Sequence, residues 1–443
     1  MTQTQSAPPA DWSPPAQQPA TPAVQPPGAR RASAQSPIKA WFEGTPGRMR
    51  ALLILAAVMS VVFGAAAAQG FSQSEGALTR AEANAAQLVR IQAIHTNLVS
   101  ANADATNAFL VGGLEPPEQR QHFVDSMAEA ARLIAEAATA QPADKDALGA
   151  LNQTLITYDG LIEQARANNR QGLPIGSQYL KDANALLQND SLPLVKALVQ
   201  ANEERVGTEF DGVGNGNIWL LTGGLLTLVV FGFTLRWLAR RTHRYINLPI
   251  AAGAVLVLLT TLIGGFALAG ASSDAADTHQ GAYDQTLALS RARIAAYDAR
   301  SNESLTLIAR GSGDAYEQAY QESARVVDDQ LSKVDGVGAT LEQQWKDYKE
   351  IHAGIRTTDT GGNWEKAVDM AIGRDPQVSS VKAFSAFDEN SATQLKSTSG
   401  EVHTELISAR DGLPPIGWLG LPIGIAAALL AAWGMSQRLG EYR

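Results

Sequence analysis

Four long apolar runs separate the chain into membrane-compatible and polar parts. They cover residues 51–68, 218–235, 248–270 and 415–435, and none of them contains Asp, Glu, Lys or Arg. Each run is about 18–23 residues long, which is enough for a helix to cross a hydrocarbon core about 30 Å thick. The pattern therefore predicts an all-α membrane protein with four transmembrane helices.

The first apolar run has two interpretations. Small residues at 64–69 are typical of a signal-peptide cleavage site, so one interpretation is a cleaved leader. A tail of about 50 residues precedes the run, however, and the run is longer than the usual signal core of 7–15 residues. We therefore favour an uncleaved first span.

Two long polar segments alternate with the spans, and their apolar residues recur at helical spacing. Leu88, Ile91 and Leu98 show this spacing in the first segment, and Leu287 and Ile294 show it in the second. Glycine and proline interrupt the pattern three times in each segment, at 112–117, 141–144 and 172–176, and at 311–314, 335–338 and 360–363. Three interruptions in each segment predict two bundles of four helices.

Short matches between the two polar segments indicate an internal duplication. Glu118-Gln119 follows one glycine turn as Glu317-Gln318 follows the other, and Tyr158 precedes Gly172 by the same 14 positions that separate Tyr348 from Gly362. Self-similarity of this kind is a sign of repeated units. The alternative is that two alanine-rich helical segments resemble each other through composition alone.

These patterns divide the chain into six parts. The N-terminal part is rich in Pro, Ala and Gln, which buries too little apolar surface to fold, so we expect a disordered tail there. The predicted parts are the tail (1–37), the juxtamembrane segment with the first span (38–71), the first bundle (72–217), spans two and three with their hairpin (218–271), the second bundle (272–412), and the fourth span with a short end (413–443).

The basic hairpin between spans two and three predicts the topology. It carries Arg236, Arg240, Arg241 and Arg244, whereas the whole chain has a net charge of −9. Short loops rich in arginine stay in the cytoplasm. We therefore expect a multi-pass plasma membrane protein with both termini and the hairpin inside, and both bundles outside.

The sequence lacks the usual signatures of catalysis, transport and metal binding. It has no cysteine, its six histidines are scattered, and we find no nucleotide-binding loop, zinc-protease motif or serine nucleophile elbow. The spans contain no ionisable residue, which argues against an ion pathway. We expect no enzymatic activity, no cofactor, no metal and no nucleic-acid partner.

Rows of small residues mark one face of the first and fourth spans. Small residues one turn apart let membrane helices approach closely. We predict that these spans pack on each other, within one chain or across a homodimer, although alanine-rich spans also produce such rows by chance. The rows are Ala56, Ser60, Gly64 and Ala68 in the first span, and Gly420, Gly424, Ala428 and Ala432 in the fourth.

The order of spans and helical segments resembles the four-helix sensory domains of chemoreceptors and histidine kinases, present twice. More narrowly, the duplicated four-span layout, the Pro/Ala/Gln-rich start and the Arg438-Leu-Gly-Glu-Tyr-Arg443 end resemble the GlnX-type membrane proteins of actinobacteria. That family is associated with an extracytoplasmic glutamine-binding lipoprotein and the soluble Ser/Thr kinase called protein kinase G. The resemblance implies a transmembrane relay of amino-acid availability from the lipoprotein to the kinase.

Under this interpretation, two sets of residues are candidate partner contacts. The exposed turns at Gly112, Gly113, Gly311 and Gly313 would contact the binding protein, although each of them also fits a plain connecting turn. The hairpin arginines Arg240, Arg241 and Arg244 would contact the kinase, or would only anchor anionic lipids. Two alternatives to the relay are a cell-envelope scaffold or assembly protein, and a sensor that binds a small ligand directly.

Overall fold

A computed structural model describes residues 44–111, 114–242, 247–375 and 377–440 of the chain. Helices account for the regular structure of these residues. These residues contain no strand, and four helical stretches are long and apolar enough to cross a membrane. The predicted all-α fold is confirmed. The Pro-rich tail, Gly112, Gly113 and Arg244 lie outside the described residues.

The two halves of the chain repeat a similar order of elements. The first half contains α1 (Gly44–Val111), α2 (Pro117–Ala140), α3 (Lys145–Arg170), α4 (Ile175–Leu186), α5 (Leu192–Val213) and α6 (Asn215–Thr242). The second half contains α7 (Leu248–Thr278), α8 (Asp284–Ile308), α9 (Asp314–Leu331), α10 (Gly338–Thr360), α11 (Trp364–Ala371), α12 (Ser380–Asp411) and α13 (Ile416–Gly440). A 3₁₀ turn at Pro142–Asp144 precedes α3, and π-helical segments at Leu187–Ser191 and His279–Tyr283 join α4 to α5 and α7 to α8.

Each apolar span continues directly into a bundle helix. The four stretches are Gly44–Val111, Ile175–Arg241, Leu248–Ile308 and Ser380–Gly440. At 1.5 Å per residue, the 68 residues of α1 extend for about 100 Å, far more than the thickness of a bilayer. The predicted borders between spans and bundles therefore fall inside these stretches.

Glycine contacts join the first and fourth spans. A Cβ added to Gly64 would lie 2.6 Å from the carbonyl oxygen of Gly420, and one added to Gly424 would lie 2.5 Å from the carbonyl oxygen of Ser60. Only a hydrogen atom fits at these positions, so the two backbones touch. The packing predicted for these spans is confirmed within one chain, although Ala427 and Ala431 are more deeply buried than the predicted Ala428 and Ala432.

The helices end where the predicted interruptions lie. Gly172 and Gly362 have φ values of 65° and 87°, a conformation that glycine adopts without strain. Asn363 then caps the next helix by accepting a hydrogen bond from the Lys366 backbone amide at 3.2 Å. That next helix is the short α11, which the sequence analysis did not predict.

The two bundles share one core. Residues 101–108 of α1 are all buried, so this helix is enclosed on every side rather than on one face. Side chains of the first bundle, such as Leu98 and Tyr158, belong to the same apolar cluster as Tyr297 and Trp345 of the second. Both bundles therefore lie at the same end of the four spans, and the last turn of α6 and the first turn of α7 lie at the other end.

Candidate functional site between the two bundles

Gly311 and Gly313 lie in the turn between α8 and α9, at the end of the bundles farthest from the spans. Gly311 has a φ of 84°, and a Cβ on Gly313 would lie 2.7 Å from the carbonyl oxygen of Thr306. The turn therefore requires glycine at both positions for backbone reasons. Partner binding is not needed to explain them.

A cavity of about 370 Å³ lies beside this turn. The Arg310 guanidinium lies 3.9 Å from the centre of the Trp364 ring, and the Trp364 indole donates a hydrogen bond to the Leu307 carbonyl at 2.8 Å. Cation–π stacking of this kind fixes the arginine over the ring. The unpredicted helix α11 thus supplies one side chain, Trp364, to the wall of this cavity.

Arg240 and Arg241 lie at the opposite end of the molecule, in the last turn of α6. Both side chains are exposed. Basic residues at the carboxyl end of a helix interact favourably with its dipole, so their position has a structural benefit of its own. The structure brings Gly311 and Gly313 together but does not bring them near the arginines.

Asn102 forms a polar junction at the interface between the bundles. Its side-chain amide donates hydrogen bonds to Ser301 at 2.8 Å and to Asn184 at 2.9 Å, and its carbonyl oxygen accepts one from the Tyr158 hydroxyl at 3.1 Å. Because this junction is buried, each bond is costly to break. The two bundles are therefore joined by directional bonds as well as by apolar packing.

A buried charged network lies in the second bundle beside this interface. Glu303 and His352 are 1% and 2% exposed, and their carboxylate and ring Nδ1 are 2.8 Å apart. The other ring nitrogen lies 3.2 Å from Glu317, and Ser380 donates a hydrogen bond to Glu303 at 2.7 Å. Burial opposes a charge on His352, but the bonds to both carboxylates outweigh it and raise the pKa of His352.

One open cavity between the bundles, which we name the His95 groove, has a volume of about 430 Å³. The polar side chains Gln92 and His95 face it from α1 and are 2% and 5% exposed. Neither amide atom of Gln92, nor Nε2 of His95, has a hydrogen-bond partner among the described residues. The groove is also lined by Lys196, Val199, Gln200, Glu203, Arg291, Ile294, Ala295, Asp298, Glu322, Ser323 and Val326.

Two groups of the His95 groove, His95 and Asp298, have pKa values that are shifted in opposite directions. Burial, with a contribution from Lys196, lowers the pKa of His95 to about 4, so its ring is neutral at physiological pH. Burial raises the pKa of Asp298 to about 6 against the opposing hydrogen bond from Gln188 and the charge of Lys196. Perturbed groups that line one cavity are typical of binding sites.

A second cavity of about 380 Å³ lies between α1, α2, α8 and α12. Asp104 faces it, and burial raises the pKa of this carboxyl group to about 6 despite the nearby charges of Arg300 and His122. Arg300 also lies 4.7 Å from the centre of the Phe384 ring. Both cavities between the bundles therefore combine charged groups with apolar walls.

These interface residues do not follow from the apolar stripe of each predicted helix, because they pack on other sides of α1 and α8. The available signal was the composition of 101–108, where alanine alternates with Asn102, Asp104, Thr106 and Asn107. Small and polar residues around a whole helix indicate close neighbours on every side. That signal points to a central helix, although it does not identify the helix that packs against it.

Comparison with known proteins gives one match. Residues 77–211 match the family model of the actinobacterial sensor domain. The searches of curated proteins and of solved structures found no match. The matched residues extend from the bundle part of α1 to α5, so they cover the first bundle and one side of the His95 groove. The match shows that this part of the chain is similar to a sensor domain described from actinobacteria.

Proposed function

We propose that this protein is a non-enzymatic transmembrane signal relay. The observation that carries the proposal is the continuity of the four helical stretches, each of which contains both a span and a bundle helix. A shift or rotation of a bundle helix then moves the inner end of the same stretch. The match of the first bundle to a sensor domain supports the sensing half of this proposal.

The shared core offers a place where two arrangements of the bundles can differ. The central helices α1 and α8 both contribute several alanines to the shared core, and the Asn102–Ser301 hydrogen bond joins them. Helix shifts of about 1–2 Å at such interfaces are a common form of switching. A signal would act by favouring one of the two arrangements.

We further propose that the bundles lie outside the plasma membrane and that the hairpin and both termini lie inside. The exposed arginines Arg240 and Arg241 at the inner end of α6 support this orientation through the positive-inside rule. A partner in the cytoplasm would then contact the hairpin through the exposed Arg240 and Arg241.

For the partners, we propose an amino-acid-binding lipoprotein outside and a Ser/Thr kinase inside. The turn at Gly311, with the Arg310–Trp364 stack, supplies an exposed surface at the distal end for the first, although Gly313 itself is buried. Arg240 and Arg241 supply the surface for the second. The GlnX-type resemblance supports this pair of partners, and the structure supports the positions of the two surfaces.

Co-purification of the full-length protein from its own cells tests the relay. We expect to recover a solute-binding lipoprotein and a kinase, and we expect Arg240→Ala with Arg241→Ala to weaken recovery of the kinase alone. The matched control replaces two exposed bundle arginines, Arg132→Ala with Arg325→Ala, and should leave kinase recovery unchanged. Normal kinase recovery by the hairpin variant, together with unaltered target phosphorylation after gene deletion, would favour a scaffold instead.

A second candidate, the direct sensing of a small ligand, has its own support. The His95 groove contains buried polar atoms without partners among the described residues, and both bundles line it. Such a ligand would replace the lipoprotein as the outer signal without changing the transmembrane part of the mechanism.

A further inference from the structure

We propose that the His95 groove binds a small zwitterion, a molecule with one ammonium and one carboxylate group, of the size of a free amino acid. That this ligand is the signal rests on the proposed relay, whereas the binding itself does not. The groove volume of about 430 Å³ is within the range of small-molecule sites.

The unpartnered polar atoms indicate that a ligand completes the groove. The Gln92 amide offers one acceptor and two donor hydrogens, and it is almost fully buried. Buried polar groups are normally hydrogen-bonded, so three unpartnered atoms on the two neighbouring side chains Gln92 and His95 require an explanation. A polar molecule held in the groove would satisfy them.

The charges that line the groove favour a zwitterion over an anion or a cation. Arg291 and Glu203 form an ion pair with each other, so their charges cancel. Glu322 also lines the groove, and its charge is paired with that of Arg325. Lys196 and Asp298 remain, one positive and one negative, and the ion pairs among the described residues do not include either of them. A ligand carboxylate would pair with Lys196, and a ligand ammonium would pair with Asp298.

Asp298 and His95 have the protonation states that this ligand needs at physiological pH. Asp298, with a pKa of about 6, is mostly ionised at pH 7 and accepts from an ammonium group. His95, with a pKa of about 4, is neutral and adds a hydrogen bond without adding charge. The apolar side chains of Val199, Ile294 and Val326 provide space for an aliphatic portion of the ligand.

The position of the groove explains how such a ligand would be read. Gln92 and Lys196 belong to the first bundle, whereas Arg291 and Asp298 belong to the second. A zwitterion that bridges Lys196 and Asp298 would join the two bundles and favour the arrangement in which these side chains are close. This would connect ligand binding to the relative position of α5 and α8, which belong to different bundles.

Calorimetry on the full-length protein in nanodiscs tests the proposal. The probes are the twenty free L-amino acids. Each amino acid is compared with two analogues, the amine that lacks the carboxylate and the acid that lacks the ammonium group. We expect saturable binding of at least one amino acid, with both matched analogues bound at least tenfold more weakly. If all the amino acids fail to bind saturably, or if either analogue binds as tightly as its parent, the proposal is overturned.

Two variants locate the binding. Gln92→Leu and Lys196→Met should each weaken binding at least tenfold, and Gln92→Leu should also raise the melting temperature of the unliganded protein because it removes the unpartnered amide. The matched controls Gln153→Leu and Lys181→Met should retain the wild-type affinity, since neither residue lines the groove. Wild-type affinity in both groove variants would place the ligand elsewhere.

A measurement of the distances between the inner ends of the spans, with and without the bound amino acid, separates the groove from the relay. Binding that leaves the inner ends of the spans unmoved would contradict the relay and leave the groove intact. In the opposite result, a mutation that separates the bundles moves the inner ends, but all the probes fail to bind. This result would contradict ligand binding in the groove and leave the relay intact.

Discussion

The side chains of Asn102 and Ser301 are joined by a 2.8 Å hydrogen bond, and they occupy matching positions in the two halves of the chain. Asn102 lies 16 residues before Glu118, and Ser301 lies 16 residues before Glu317. Glu317 corresponds to Glu118 in the duplicated sequence pattern. The two central helices therefore run side by side in the same direction and at the same height. Duplicated halves related by an approximate two-fold axis along the spans would have this arrangement.

The Asn102 junction should contribute measurably to stability. We expect Asn102→Leu to lower the free energy of unfolding by about 1–3 kcal/mol, because it leaves the buried Tyr158 hydroxyl unpaired and leaves Ser301 with only the longer hydrogen bond from Thr106. Chemical denaturation of the detergent-solubilised protein, followed by circular dichroism, measures this change.

Asn97→Leu is the matched control for that substitution. Asn97 lies on the same helix but only donates a hydrogen bond to the carbonyl of Ala93 in its own helix, at 2.8 Å. Its replacement should change the free energy of unfolding by about 0.5 kcal/mol or less. Equal effects of the two substitutions would show that the junction has no special role.

The glycine contact between the first and fourth spans should not tolerate a methyl group. We expect Gly424→Ala to destabilise the protein by about 1–3 kcal/mol, since the added Cβ would lie 2.5 Å from the Ser60 carbonyl oxygen and the helices would have to separate. Gly232→Ala has open space around its Cβ and should be neutral or stabilising by up to about 1 kcal/mol. Thermal unfolding of both variants in the same detergent makes the comparison. Equal melting temperatures of the two variants would contradict this packing.

The buried network of the second bundle predicts a specific pH dependence. The pKa of His352 is raised in the folded state, so protonated His352 stabilises the fold fully below its unfolded pKa of about 6.5, and this stability is lost as pH rises through the folded pKa. We therefore expect the melting temperature to fall as pH rises above about 6.5.

His352→Gln should flatten this part of the pH profile, because glutamine keeps hydrogen-bonding capacity without titrating. The lowered pKa of His95 acts in the opposite direction and only between about 6.5 and about 4, so it does not obscure the window above 6.5. Melting curves from pH 6 to pH 8.5 make the comparison. A steep decline that persists in the variant would assign the pH dependence to another group.

The cysteine-free chain permits a direct test of the topology. A single cysteine at Ser312, in the exposed distal turn, should react with a membrane-impermeant maleimide on intact cells, whereas one at Arg241 should react only after permeabilisation. This outcome is expected because the arginine-rich hairpin stays inside. Labelling of the Arg241→Cys variant on intact cells would reverse the proposed orientation.

The helices and their ends were predictable because they depend on local sequence. Long charge-free runs predict the spans, and glycine turns such as Gly172 and Gly362 predict the breaks, since few other residues adopt a positive φ. The packing of the outer spans was also predictable, because Gly64 and Gly420 leave a visible row of small residues.

The candidate site was not predictable because it depends on which helices meet. Asn102 and Ser301 are 199 positions apart, and His352 and Glu303 belong to different helices, so no local spacing connects them. The helix α11 was missed for a different reason. Its eight residues are too few to show a helical repeat, and it is held in place by the contact of Trp364 with the Leu307 carbonyl.

The central claim is that a change between the bundles moves the inner ends of the spans, and an electron–electron distance measurement tests it most directly. Spin labels at Arg241→Cys and Gln437→Cys report the separation of the inner ends of the second and fourth stretches. Ala295→Trp places an indole in the His95 groove and separates the bundles, whereas Ala135→Trp places one on the exposed face of α2. We predict that Ala295→Trp shifts the label distance by about 1–2 Å or more and that Ala135→Trp leaves it unchanged. Identical distance distributions in both variants and in the parent would contradict the relay.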